Sequence, residues 1–306
     1  MAVCVVATSA LQAAQRNDVA SRQRHIVQVE GHPVVVWGRV PEQPAAAVLL
    51  VHGRTWSARP GFDLQVPGLD RSVLASLASR GVAAYAVDLR GYGETPLDPS
   101  GALTPQRAAA DISAVLGWIA SRHPALPAPV LVGWSRGGAI ALLAARDARL
   151  RVAGLVVYGF AFEPGARFGD AAAARPGRPA ANTADAARSD FVSPDVAEPA
   201  LVRAFVEQAL AADPFQAPVA GEAQFNLIDP ARIRVPVLFL YGRRDPTIVA
   251  GQAERLAARI RSSGTPSDVV VLDGGDHAAH LEATHEAWID AVVRFVRHVS
   301  RPAGFR

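Results

Sequence analysis

The chain has 306 residues, half of them hydrophobic and 19% charged, with a mean hydropathy of +0.15, which is the profile of a globular protein with a full core. All 31 Lys+Arg positions are arginine, so a P-loop lysine and a lysine Schiff base are both excluded. The net charge of +3 is small and the arginines are scattered, so the pI near 9.6 does not suggest nucleic-acid binding, and a single cysteine, Cys4, rules out an intramolecular disulfide or a multi-cysteine metal site.

Residues 1–24 read as a loosely packed tail, apolar and uncharged until Arg16. The run lacks a basic leading segment and is too short to span a bilayer, so a secretory signal is the less favoured reading. A cytoplasmic protein without stable membrane insertion is the expectation. Strands are predicted at 25–29, 33–40, 45–51, 82–87, 129–133, 153–158, 235–240 and 268–272. Several are unbroken apolar runs, such as Val48-Leu49-Leu50-Val51 and Val237-Leu238-Phe239-Leu240, as expected of strands covered on both faces of a parallel sheet. Glu30-Gly31-His32 between the first two strands is a hairpin signal, so the sheet begins antiparallel. Helices are predicted at 72–80, 108–121, 138–146, 250–261 and 286–299.

The alternation breaks once, between 163 and 234. A stretch of about seventy residues is too long for a plain loop and reads as an inserted helical cap. Its helix is predicted at 199–211, with Leu201, Phe205, Leu210, Phe215 and Phe225 supplying an apolar face. The Ala/Arg/Pro-rich part, 165–188, has the composition of a surface linker. The expected organisation is thus a tail (1–24), the first part of an α/β core (25–162), the cap (163–234) and the second part of the core (235–306).

Three segments carry the chemistry. Gly133-Trp134-Ser135-Arg136-Gly137 sits between a predicted strand and a predicted helix, the setting of a nucleophile elbow, in which the flanking glycines make room for a strained serine. Serine needs a base held by an acid. The acid candidate is Asp245, at the end of a predicted strand in Tyr241-Gly242-Arg243-Arg244-Asp245, and the base candidate is His277 in Gly274-Gly275-Asp276-His277. His280 is the rival base. Asp276 reads as a loop-stabilising residue, because adjacent side chains diverge. His52-Gly53-Arg54-Thr55-Trp56 follows the third strand. An acyl-transfer oxyanion needs two fixed N–H donors about 3 Å away, and the amides of Arg136 and Arg54 are the candidates, with Thr55 the alternative to Arg54. Trp56 and Trp134 either wall an apolar pocket or pack beneath it. A guanidinium of Arg54 or Arg136 either faces a substrate carboxylate or turns away into a structural ion pair.

Together with Asp88-Leu89-Arg90-Gly91-Tyr92-Gly93, these pieces occur in an order and spacing that resembles the α/β-hydrolase-fold serine hydrolases, from about residue 25 to 300. The resemblance implies an α/β-hydrolase fold: a mostly parallel eight-stranded sheet flanked by helices, with a helical cap. It assigns nucleophile, acid and base to Ser135, Asp245 and His277, and implies no metal and no cofactor. Asp276 stands where many relatives have glycine. Relatives with aspartate at the elbow are epoxide hydrolases or dehalogenases, so Ser135 points instead to carboxylic ester hydrolysis. Thioester, lactone, amide or C–C cleavage, acyl transfer and cofactor-free perhydrolysis use the same machinery, and a non-catalytic small-molecule binder of this fold is the different-class alternative. The expected partner is a small-molecule ester; the oligomeric state is left open.

Overall fold

The computed structural model describes residues 20–169, 179–193 and 195–301. The expectations for residues 1–19, Cys4 included, and for the middle of the Ala/Arg/Pro-rich stretch lie outside them. The chain enters through β1 (Gln23–Val29) and β2 (His32–Arg39), joined by Glu30 and Gly31, both at positive φ (51° and 79°). Two consecutive positive φ values mark the turn whose twist matches that of the strands it joins. β1 therefore begins inside the segment expected as tail.

There follow β3 (Ala46–Val51), α1 (Ala58–Phe62), α2 (Val73–Ala78), β4 (Val82–Val87), α3 (Pro105–Arg122), β5 (Val130–Trp134), α4 (Arg136–Ala144) and β6 (Gly154–Tyr158). An insertion holds α5 (Ala184–Arg188), α6 (Pro199–Ala212) and short 3-10 helices at Glu222–Leu227 and Pro230–Arg232. The chain then returns through β7 (Val237–Gly242), α7 (Gln252–Arg261), β8 (Ser267–Leu272) and α8 (His285–Val299).

The eight strands form one sheet in the order β1-β2-β4-β3-β5-β6-β7-β8. β2 pairs antiparallel with β1 and β4, and every other pairing is parallel. Every residue of β3, β4, β5 and β6 is buried, which explains their unbroken apolar runs: helices cover both faces, so no strand position looks to solvent. α3, α4 and α7 pack on one face. α1, α2, α8 and α6 pack on the other. Among the described residues no helix is long and apolar enough to cross a membrane.

Local signals account for the helix ends. The Thr104 side chain accepts a hydrogen bond from the Arg107 amide and Pro105 takes the first position, so α3 starts three residues before the expected 108. In the insertion, α6 buries Leu201, Phe205 and Ala209, spaced four apart along one face. Phe225 is buried too, but Phe215, expected on the same apolar face, is 43% exposed. The short α5, capped by the Thr183 side chain, occupies the end of the stretch read as linker.

Candidate active site

Ser135 lies between the end of β5 and the start of α4 with φ 54° and ψ −121°, a conformation that non-glycine residues rarely adopt. Its amide donates to the Tyr158 carbonyl at 2.8 Å and its carbonyl accepts from the Gly138 amide at 2.8 Å, so the strain is held by the adjoining strand and helix. The flanking glycines are required sterically. A Cβ on Gly133 would overlap the Gly137 carbonyl, and one on Gly137 would overlap the Val51 carbonyl. The turn is therefore as tight as the sequence pattern implied, and Ser135 stays partly exposed at its tip.

The expected acid and base are in contact. His277 Nδ1 lies 2.9 Å from Asp245 Oδ2, while Asp245 Oδ1 accepts from the Thr247 amide (2.9 Å) and hydroxyl (2.6 Å). With both oxygens engaged, the carboxylate is fixed in direction and holds the proton on Nδ1, which leaves Nε2 as the free basic nitrogen. Burial on its own would lower the His277 pKa. The hydrogen bond and charge of Asp245, joined by the charges of Asp190 and Asp276, outweigh burial and raise it above the usual 6.5. Gly159, next to the Tyr158 carbonyl that holds Ser135, closes the set: a Cβ there would lie 3.2 Å from His277 Cε1 and 3.4 Å from Asp245 Oδ2. The C-terminal ends of β5, β6, β7 and β8 thus converge on one point.

The loop after β3 is locked from beneath by a histidine. The Leu89 amide donates to His52 Nε2 at 3.1 Å, so the ring proton sits on Nδ1 and donates to the Gly53 carbonyl at 2.9 Å. Burial drives the His52 pKa down to about 4, which keeps this tautomer neutral. The Gly53 carbonyl and the Arg54 N–H belong to one planar peptide unit, so fixing the first aims the second. The Tyr92 hydroxyl donates to the Arg54 carbonyl and holds the next unit. Among the described residues neither the Arg54 amide nor the Arg136 amide has an acceptor, as donors kept for an oxyanion would require.

The remaining expected residues sort by their contacts. Trp134 is buried between His277 (ring centroids 5.7 Å) and His280 (4.5 Å), with its indole N–H on the His277 carbonyl. It packs beneath the His277 loop. His280 is fully buried, bonded to the Gly61 carbonyl and the Tyr158 hydroxyl, and burial pushes its pKa well below the usual value. It supports the loop, and its hydrogen bonds among the described residues go elsewhere than Asp245. The Arg136 side chain turns away into an ion pair with Glu222 of the insertion (2.8 Å), and Arg54 is exposed. Asp276 stabilises its loop, accepting from the Ala278 amide (3.1 Å), and also reaches the Ser193 amide of the insertion (2.7 Å). Among the described residues no three His, Cys, Asp or Glu side chains are grouped to hold a metal ion.

Three acidic residues at the site escaped the sequence reading. Glu222 fixes Arg136. Glu282, fully buried, accepts from the Asp276 amide at 2.9 Å. Asp190, in the insertion, acts electrostatically on His277. No local pattern marks any of them: the partners of Glu222 and Asp190 lie far away in sequence, and Glu282, only six residues from Asp276, is set apart by its burial.

The alpha/beta hydrolase family model matches residues 48–294. The chain belongs to the alpha/beta hydrolase family. Among curated proteins nothing matches. Similar solved structures include a lipase in its open form (19% identity, 92% of this chain and 100% of that one, TM-score 0.62). They also include a thermophilic esterase from Thermogutta terrifontis (20%, 91% and 100%, 0.60) and a hydrolase from Pseudomonas aeruginosa PA01 (20%, 89% and 98%, 0.64). At such identities the likeness establishes the shared fold, with which the strand order of this alpha/beta hydrolase agrees.

Proposed function

We propose that the protein is a serine hydrolase that cleaves a carboxylic ester through an acyl-enzyme intermediate. The observation that carries this reading is the strained Ser135 elbow, held on the Tyr158 carbonyl, with the next residue, Gly159, packed closely against the His277 that Asp245 orients. His277 Nε2 takes the Ser135 hydroxyl proton as the oxygen attacks the ester carbonyl, and the amides of Arg54 and Arg136 bind the oxyanion. The protonated His277, stabilised by Asp245, then hands its proton to the leaving alcohol. Water repeats the sequence on the acyl-enzyme and releases the acid. The insertion at 163–234 acts as the cap that shapes the substrate pocket. The lipase and the esterase among the similar folds support an ester as the first substrate class to test.

The test is covalent labelling with an organophosphonate probe, run beside p-nitrophenyl esters of rising chain length, a lactone and an amide. Labelling is expected at Ser135, lost in Ser135→Ala, with ester turnover exceeding amide turnover. A folded protein that neither labels nor turns over any of these substrates would overturn the reading.

A further inference from the structure

Ser135 and His277 are anchored on the same two residues. Trp134 ends β5 and Tyr158 ends β6, and the two are register partners in the parallel ladder, with their rings stacked (centroids 6.4 Å, planes 21° apart). Trp134 directly precedes Ser135, and the Tyr158 carbonyl accepts the Ser135 amide at 2.8 Å. Their side chains meet again at the base. The Tyr158 hydroxyl and the Trp134 indole N–H both donate to the His277 carbonyl, at 2.8 Å and 3.0 Å, which engages both lone pairs of that oxygen.

Bonds to a main-chain carbonyl fix something that the Asp245 contact does not. Asp245 orients the imidazole about the His277 side-chain torsions, whereas Tyr158 and Trp134 set where the His277 main chain stands. The loop between β8 and α8 needs such a hold, because it consists of turns and opens with Gly274-Gly275, the first at φ 82°. Tyr158 is suited to the task. Its ring is fully buried and braced edge-on by Trp288 of α8 (5.5 Å) and by His280 (5.2 Å). Burial raises its pKa well above the usual 10, so the hydroxyl keeps its proton to donate. His280 offers that proton a second acceptor. Kept neutral by burial, its ring carries hydrogen on Nε2 toward the Gly61 carbonyl (2.9 Å), which leaves Nδ1 bare at 3.1 Å from the Tyr158 oxygen. The His277 carbonyl, at 2.8 Å, is the nearer of the two.

We propose that Tyr158, with Trp134 beside it, is a positioning residue for the ester hydrolysis: it ties the main chain of the nucleophile to the main chain of the base, so that the separation of Ser135 from His277 is held through both halves of the reaction. The assignment rests on the serine-hydrolase reading. A general base works only within hydrogen-bond reach of the proton it takes, and a misplacement of about 1 Å costs on the order of a hundredfold in rate.

The test is Tyr158→Phe, which removes the hydroxyl but keeps the ring and the carbonyl that holds Ser135, assayed on p-nitrophenyl esters with His277 present and in the His277→Ala background. With His277 present, kcat is expected to fall about tenfold to a hundredfold while KM changes less than about threefold. In the His277→Ala background the same substitution should change the residual rate less than about twofold, because no base remains to be placed. Trp134→Phe removes the other donor, should show the same pattern, and decides the matter if Tyr158→Phe does not fold. Thr284→Val is the control: it removes a hydroxyl bond to the Ala279 carbonyl (2.9 Å) in the same loop and should lower Tm but leave kcat within about threefold of the parent's. A folded Tyr158→Phe with the parent's kcat overturns the proposal. So does an equal loss in the His277→Ala background, which would put the effect in the fold or the oxyanion site. A wild type that turns over no ester refutes the hydrolase reading instead, and the His277 Nδ1–H proton resonance then decides the positioning. It should be sharp in the wild type and in Thr284→Val but broadened by exchange with water in Tyr158→Phe, and an unchanged resonance there overturns the clamp.

Discussion

Glu282→Gln is expected to stabilise the protein, and to do so more strongly as the pH rises. Glu282 is fully buried, its Oε2 accepts from the Asp276 amide, and among the described residues its Oε1 has no partner of normal geometry. Burial first, then the hydrogen bond to Asp276 and the charge of Asp276, push its pKa from 4.5 up to about 9. The native protein therefore keeps a proton on Glu282 at neutral pH, whereas the unfolded chain releases it. Between these two values the native state binds more protons than the unfolded one, so stability falls as the pH rises and is fully retained only below about 4.5. At 1.36 kcal/mol per pKa unit, holding that proton costs the fold about 3 kcal/mol at pH 7 and about twice that at pH 9.

Glutamine carries the equivalent hydrogens permanently. Its carbonyl can accept from the Asp276 amide and its NH₂ can donate to the Asp276 carboxylate, with no proton to recruit. Coupling to Asp276 shares the cost, so the expected gain is about 2–3 kcal/mol at pH 7, or roughly 3–5 °C in Tm for a chain of this size. The assay is thermal unfolding of both proteins at about pH 5, 7 and 9, with chemical unfolding at the middle value. A variant that melts below the parent at neutral pH would refute the reasoning. So would a gain that stays constant across the three values, because the linkage would then be absent.

Other outcomes follow from the site. Ser135→Ala and His277→Ala should each cut kcat by about a thousandfold or more with the fold intact, Asp245→Asn somewhat less, and His280→Ala should act mainly on thermal stability; ester kinetics and melting curves on the same preparations decide. Because His277 must be neutral to accept the Ser135 proton and its pKa is raised, kcat/KM should increase with pH through a value above 6.5, and an inflection well below that would contradict the Asp245 contact. Glu222→Gln leaves the buried Arg136 guanidinium without its counter-charge and should cost about 2–4 kcal/mol, whereas Arg136→Met combined with Glu222→Leu should recover much of the loss in denaturant melts.

The sheet was legible because its strands announce themselves. Runs such as those of β3 and β7 are apolar at consecutive positions, and no surface helix of this length tolerates that. Ser135, Asp245 and His277 were legible for a related reason: strand ends in an α/β sheet are marked by the strands themselves, and the elbow glycines are dictated by contacts with the nearest backbone. What was missed is of a different kind. α1 is five residues long and contains a proline and a glycine, too short for any periodicity. The early start of α3 was signalled by Thr104-Pro105, a cap followed by a first-turn proline, and the apolar count alone overlooked it. Asp190, Glu222 and Glu282 are ordinary acidic letters in the sequence; the role of Glu282 comes from its burial, and those of Asp190 and Glu222 from partners brought over by the fold.

Those partners also decide how the insertion is held. Three of its ties are buried or nearly so, and each ends beside a residue of the site: Glu222 on Arg136, next to Ser135; the Ser193 amide on Asp276, next to His277; and Asp213 on the Ser57 and Gly93 amides, next to Trp56 and Tyr92. The ion pairs Glu163–Arg255 and Asp195–Arg244 are exposed, and such pairs contribute about 1 kcal/mol or less. Breaking a buried tie strands a charge or an amide in a dry environment at about 1–3 kcal/mol or more for each group. The energetic order is therefore unequal along the insertion. Its rim can detach at little cost, while the part that carries Asp190 and α6 moves only together with the loops that set Ser135, His277 and the Arg54 amide, so a substitution in this roof is read out as a change in turnover as well as in binding.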